Sequence, residues 1–83
     1  MDTREQAVQK IIERASAIFG KGPGEINEDT RFAEDLGAKS GNVSQMTTFL
    51  EDEFDVEIPF MEFTRKKTVG EAADYITELV EDY

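Results

Sequence analysis

The chain has 83 residues, contains neither cysteine nor histidine, and carries a formal net charge of −10. Such a length fits one small domain with a modest core, so we treat residues 1–83 as a single domain. The missing residue types exclude disulfides, cysteine nucleophiles and histidine acid–base catalysis, and we expect no enzymatic activity. The negative charge disfavours nucleic acids and anionic membranes as ligands, and it favours basic partner proteins. No apolar run is long enough for a signal peptide or a membrane span, so we expect a cytoplasmic protein.

Residues 3–19 have the pattern of an amphipathic helix. Thr3 and Gln6 have the spacing of a capping box, which predicts that the helix begins there. The apolar residues then recur at steps of three and four and are predicted to be core: Val8, Ile11, Ile12, Ala15, Ile18 and Phe19. Gly20 predicts the end of the helix.

A long connection runs from Gly20 to Lys39. Loops of this length in compact domains are usually functional or disordered. Here Ile26, Phe32 and Leu36 are spaced through it, which predicts a loop held against the helices.

A second helix is predicted from about Ser40 to about Phe54. Its inner stripe is formed by Val43, Met46, Leu50 and Phe54, with Phe49 beside them. Because Ser40 follows a glycine-containing turn, we expect it at the helix N-terminus, where free N–H groups and the helix dipole suit a phosphate. The same place also suits a serine that only caps the helix, and local physics does not separate the two.

Three hydroxyl residues interrupt the apolar pattern of this helix: Ser44, Thr47 and Thr48. They either line a more polar pocket or bond back to carbonyls of the preceding turn, and we favour the second interpretation. The acidic residues near the end of this helix and in the following loop are predicted to be exposed to solvent, and their spacing predicts no metal site. These are Glu51, Asp52, Glu53, Asp55 and Glu57.

The stretch after Pro59 contains Phe60, Met61 and Phe63, followed by a basic triplet at residues 65–67. We expect Phe63 to point inward. Phe60 and Met61 are either exposed to a partner, or one of them covers the small core.

The last helix opens with a capping-box match at Thr68 and Glu71. Its predicted buried face consists of Val69, Ala72, Ala73, Ile76, Leu79 and Val80. The chain is therefore predicted to be all-α, an up-down bundle of three long helices and one short one with a long first connection.

Two sequence blocks flank Ser40 and closely resemble the acyl carrier proteins. Phe32-Ala-Glu-Asp-Leu-Gly-Ala precedes the serine, and Leu50-Glu-Asp-Glu-Phe-Asp-Val-Glu-Ile-Pro follows it without a gap in the spacing. The resemblance extends over nearly the whole chain. It implies that Ser40 carries a 4′-phosphopantetheine arm, received from coenzyme A through a phosphodiester, whose thiol carries acyl groups as thioesters.

The centre of the motif departs from the family pattern. The family usually has Asp-Ser-Leu, whereas this chain has Lys39-Ser40-Gly41. Lys39 lies on the unfavourable side of the helix dipole, and a glycine in the first turn costs up to about 1 kcal/mol relative to alanine. A phosphodiester on Ser40 would make the lysine a favourable neighbour. We therefore interpret the chain as a specialised carrier for fatty-acid or related lipid biosynthesis.

The resemblance also implies partners. They are a phosphopantetheinyl transferase and acyl-processing enzymes of the synthase, reductase, dehydratase and acyltransferase types, and we expect a monomer that contacts neither nucleic acid nor membrane. The docking residues that we infer are Glu34, Asp35, Asn42, Gln45, Glu51, Asp52, Phe60 and Met61. Two alternatives stay open: a carrier domain of polyketide or peptide assembly, and an unmodified carrier fold that only binds proteins. Lys39 and Gly41 keep the second alternative open, because transferases contact the residues around the serine.

Overall fold

The computed structural model describes residues 2–82, so the two terminal residues of the predicted domain lie outside the description. Within that range the chain forms four α-helices: α1 (Thr3–Phe19), α2 (Ser40–Phe54), α3 (Phe60–Thr64) and α4 (Val69–Glu81). One turn of 3-10 helix, Pro23–Glu25, lies in the first connection. The predicted all-α fold with three long helices and one short one is confirmed. None of the helices in the described residues is long and apolar enough to span a membrane.

The N-terminus of α1 differs from the prediction, and its C-terminus agrees with it. Asp2, and not Thr3, is the N-cap, and its Oδ1 accepts a hydrogen bond of 2.8 Å from the N–H of Glu5. The capping box predicted at Thr3 is therefore wrong, because Asp2 is an equally good cap and has the same spacing to Glu5. At the other end Gly20 adopts a left-handed conformation with φ of 68°, as predicted for a helix terminator.

The core lies where α1 packs against α4 and α2. α1 buries Ala7, Ile11 and Ala15 completely, whereas the other apolar residues of its predicted face are only partly buried. α2 buries Met46 and Leu50. The buried residues of α4 are Val69, Gly70, Ala72, Ala73 and Ile76. The small residues Ala7 and Ala15 of α1 and Gly70, Ala72 and Ala73 of α4 are buried where these two helices pack together, and they allow the two backbones to approach closely.

The first connection is held against α4, as predicted. Ile26 and Phe32 are buried, and the N–H groups of Val69 and Gly70 donate to the carbonyls of Thr30 and Glu28 at 3.0 and 2.9 Å. A Cβ at position 70 would lie 3.2 Å from the carbonyl oxygen of Glu28, so glycine is what permits this close approach.

Residues 66–68, which lead into α4, pair with the first connection. The N–H of Phe32 donates to the carbonyl of Lys67 at 3.0 Å, next to an isolated antiparallel bridge between Arg31 and Thr68. Thr68 caps α4 by accepting from the N–H of Glu71, as predicted, but Glu71 reaches back to the N–H of Lys67 instead of Thr68. This pairing places the basic triplet beside the turn that leads to Ser40.

Candidate functional site

Ser40 is the first residue of α2 and is exposed to solvent. The turn before it is closed by two hydrogen bonds, from the N–H of Gly37 to the carbonyl of Ala33 and from the N–H of Ala38 to the carbonyl of Phe32. Gly37 has φ of 66°, a conformation that glycine adopts without strain. The turn therefore delivers the chain into α2 at Ser40, as the sequence predicts.

The N-cap of α2 is Lys39, so the interpretation of Ser40 as an N-cap is wrong. The Oδ1 atom of Asn42 accepts a hydrogen bond of 2.9 Å from the N–H of Lys39, and the first helical bond runs from the N–H of Val43 to the carbonyl of Lys39. The amide groups of residues 40–42 precede that first bond and need acceptors from outside the helix. The Ser40 hydroxyl is therefore free of a capping role and stands where an anion is favoured.

A groove of about 260 Å³ opens beside Ser40. Its apolar surface comes from the first connection, α2 and α3, through Phe32, Val43 and Phe63. Phe63 is buried, as predicted, and its ring lies 6.2 Å from that of Phe32, centroid to centroid. The groove can therefore shelter a small apolar group attached at its rim.

Three lysines line this groove: Lys39, Lys66 and Lys67. Sequence reasoning assigned a role only to Lys39, because the contact between residues 66–68 and the first connection is tertiary. The available signal was the basic triplet itself, which stands out in a chain of net charge −10. The environment of Ser40 is thus more basic than the sequence alone predicts.

Two of the predicted docking acids, Glu34 and Asp35, pair with Arg31. The Nη atoms of Arg31 lie 3.6 Å from a carboxylate oxygen of Glu34 and 3.1 Å from one of Asp35. Hydrogen bonds from the side chain and the backbone of Arg31 hold the pKa of Asp35 below its ordinary value. Both carboxylates are exposed, but they present a locally balanced charge instead of a purely acidic patch.

The acids at the end of α2 also have partners within the chain. Glu51 accepts a hydrogen bond of 2.8 Å from the N–H of Ile58, and Glu53 pairs with Lys10 of α1 at 2.9 Å. Asp52 is exposed and borders a separate groove together with Arg14. Of the predicted docking acids in this region, Glu51 therefore also supports the fold, while Asp52 faces solvent.

The remaining predicted docking residues differ in exposure. Gln45 and Met61 are exposed, and 67% of the Met61 surface is accessible. Asn42 and Phe60 are half-buried, and Asn42 uses its side chain in the cap of α2. Met61 is therefore exposed and available to a partner, which is one of the two alternatives that the sequence left open. Phe60 is neither fully exposed nor fully buried over the core.

The hydroxyl residues of α2 do not make the groove beside Ser40 more polar. Thr47 is buried and donates to the carbonyl of Ser44 at 3.0 Å, as the favoured interpretation predicts. Ser44 and Thr48 are exposed and lie at the other groove, next to Arg14. The guanidinium of Arg14 lies 5.2 Å from the ring centroid of Phe49, a cation–π contact between α1 and α2.

Two findings from known proteins match this geometry. A family described as "Phosphopantetheine attachment site" matches residues 9–76, which include Ser40 and every residue that lines the groove beside it. The structure is also similar to that of the acyl carrier protein from Enterococcus faecalis, with a TM-score of 0.77 and 33% sequence identity over 94% of this chain and 99% of that one. Acyl carrier proteins hold a covalently attached 4′-phosphopantetheine. They are carriers, not enzymes, and they are served by phosphopantetheinyl transferases and acyl-processing enzymes. The chain belongs to the acyl carrier protein family.

Proposed function

We propose that Ser40 carries the phosphopantetheine arm and that the protein serves a specialised pathway of fatty-acid or related lipid biosynthesis. The observation that carries this proposal is the position of an exposed serine hydroxyl at the N-terminus of α2, on the rim of a groove with an apolar floor. The bound group supplies a thiol on a flexible arm, on which acyl groups are carried as thioesters.

The residues around Ser40 fit a phosphodiester. The amide groups at the start of α2 and the ammonium groups on the groove favour a negative charge there. The hydroxyl has no hydrogen-bond partner among residues 2–82 that could activate it as a nucleophile. Ser40 therefore supplies the oxygen that attacks the phosphorus of coenzyme A next to the pantetheine, and the transferase must supply the base that removes the serine proton. The P–O bond of the pyrophosphate breaks, and 3′,5′-adenosine diphosphate leaves.

Loading in vitro tests the attachment site. Incubation with coenzyme A and a promiscuous phosphopantetheinyl transferase should add the mass of one phosphopantetheine group to the wild type. Ser40→Ala should abolish the increase, whereas Ser44→Ala, an exposed serine one turn further along α2, should keep it. Persistent absence of modification, with a transferase from the native source included, would support the unmodified binding module instead.

The arm should also stabilise the fold through Lys39. A phosphodiester next to this lysine adds charge–dipole and ion-pair interactions, each worth about 0.3–1 kcal/mol at an exposed site. We expect the modified protein to melt slightly higher than the unmodified one, by calorimetry, with a difference that shrinks in high salt.

Lys39→Asp tests the origin of this difference. Position 39 is the N-cap, where aspartate is among the best residues. The free energy of unfolding of the unmodified variant should therefore rise by about 1 kcal/mol. The new carboxylate then repels the phosphodiester, which should erase or reverse the stabilisation by the arm. Lys39→Gln is the neutral control and should only reduce it. An unchanged difference in Lys39→Asp would show that Lys39 has another role.

A further inference from the structure

The lysines of the groove beside Ser40 lack carboxylate partners. Four basic residues form ion pairs in the described part of the chain: Arg4, Lys10, Arg31 and Arg65. Lys39, Lys66 and Lys67 all line the groove, and none has a carboxylate oxygen within 4.0 Å among residues 2–82. In a chain with 19 acidic residues and 9 basic ones, such a concentration of unpaired cations needs an explanation.

The acidic residue on the groove does not neutralise them. Glu34 lines the groove, but its carboxylate already pairs with Arg31 at 3.6 Å. The ammonium of Lys66 lies 4.9 Å from the ring centroid of Tyr75, which lines a neighbouring groove with Glu71, Asp74 and Glu78. None of these carboxylates is within 4.0 Å of the ammonium, but the Lys66 side chain must turn away from Tyr75 to contact a ligand in the groove beside Ser40. The groove therefore combines an apolar floor with a positively charged rim.

The phosphodiester on Ser40 accounts for only one of these charges. It carries about one negative charge and stands next to Lys39 in sequence, whereas Lys66 and Lys67 come from the segment between α3 and α4. A second anion would match Lys66 and Lys67, and a carboxylate on the acyl cargo is an anion that the tethered arm would bring to the groove.

We propose that the groove beside Ser40 binds an acyl chain with a carboxylate at its far end, the half-thioester of a dicarboxylic acid. The methylene groups lie on Phe32, Val43 and Phe63, and the carboxylate contacts Lys66 and Lys67. This inference rests on the proposed attachment of the arm to Ser40 and specifies the class of cargo.

The tether makes a weak contact sufficient. An exposed pair of charges is a weak interaction by itself. Because the arm is anchored on the rim of the groove, the cargo meets the lysines at an effective concentration in the millimolar range, as expected for a short flexible linker. A neutral chain gains only the contact with the apolar floor, so the groove should prefer the charged cargo.

The experiment compares two acyl groups of equal carbon number. Ser40 is loaded from adipoyl-coenzyme A or hexanoyl-coenzyme A by a promiscuous transferase, and loading is verified by intact mass. The rate of thioester cleavage by hydroxylamine is then measured and divided by the rate for the same acyl-coenzyme A free in solution, which removes the intrinsic reactivity. We expect the wild type to protect the adipoyl thioester about two- to five-fold more than the hexanoyl thioester at low salt.

Matched variants identify the groove as the cause. In the double variant Lys66→Gln and Lys67→Gln, the ratio of adipoyl to hexanoyl protection should fall to about one. High salt should lower the same ratio in the wild type. Lys21→Gln removes an exposed lysine that lies outside the groove and should leave the preference unchanged.

Two kinds of result would contradict the binding of charged cargo in the groove. Equal protection of both thioesters, or a loss of preference in Lys21→Gln as large as in the double variant, overturns the assignment of the groove to charged cargo while the attachment site stands. Failure of Ser40 to load at all overturns the proposed function and this inference with it.

Discussion

Leu50→Ala is expected to lower the free energy of unfolding by about 2–5 kcal/mol. Leu50 is fully buried on α2, and its truncation removes apolar contacts and leaves a cavity in the small core. A domain of this size has a total stability of about 4–12 kcal/mol, so the variant should be close to its folding threshold. Urea unfolding followed by circular dichroism should show a lower midpoint with a nearly unchanged slope.

Met61→Ala is the matched control for this experiment. It also truncates a large apolar side chain, but one whose surface is 67% exposed on α3. We expect a change within about 0.5 kcal/mol. A loss of less than about 1 kcal/mol in Leu50→Ala would contradict the packing of α2 described above.

A change of charge at the start of α2 should alter which enzymes the carrier serves. Here that surface lacks acidic residues, whereas general fatty-acid synthesis enzymes are expected to present arginines and lysines to an acidic one. Complementary charge speeds the encounter of two proteins, and like charges brought together are costly. We therefore expect the modified wild type to be a poor substrate for these enzymes.

Four substitutions test this expectation together: Lys39→Asp, Gly41→Leu, Asn42→Asp and Gln45→Glu. None of the four positions is buried, and a Cβ at position 41 meets no atom within 4 Å. Aspartate at position 42 keeps a side-chain oxygen that accepts from the backbone N–H of position 39. The change from one positive charge to three negative ones should raise kcat/KM with the general enzymes by about tenfold or more at low salt.

The control adds the same negative charge elsewhere, through Gln9→Glu, Ala17→Glu and Lys21→Asp on exposed positions of α1 and the following loop. It should change the turnover little, because none of these three positions lies in α2 or lines the groove beside Ser40. If the modified wild type already serves the general enzymes as well as a housekeeping carrier does, the idea of a specialised partner set fails.

Local patterns predicted most of the fold. The bounds of α2, Ser40 and Phe54, agree with the apolar stripe and the turn before it, and Gly20 ends α1. The error at the start of α1 arises because Asp2 and Thr3 are both good N-caps and lie next to each other. Asp55, predicted only as a surface acid, ends α2 in a left-handed conformation with φ of 54°, which aspartate tolerates better than most residues.

Tertiary contacts account for what the sequence could not predict at the site. The partner of Glu53 is Lys10, more than 40 residues away on α1, and Glu51 bonds to the backbone of a loop that follows α2. Lys66 and Lys67 reach the groove only because residues 66–68 pair with the first connection. No spacing within the sequence indicates such contacts. The sequence therefore predicted acids at the end of α2 that are free to contact partner proteins, whereas two of them are paired within the chain. It also predicted only one lysine, Lys39, beside Ser40, whereas three line the groove.

The most direct test of the central claim uses the protein from its native source. Trypsin should cut after Lys39 and Arg65 and release a peptide that begins with Ser40. Fragmentation by mass spectrometry locates any modification among the serines and threonines of that peptide. We predict phosphopantetheine on Ser40 and on no other residue of the peptide. An unmodified peptide, from cells whose other acyl carrier proteins carry the arm, would contradict the account.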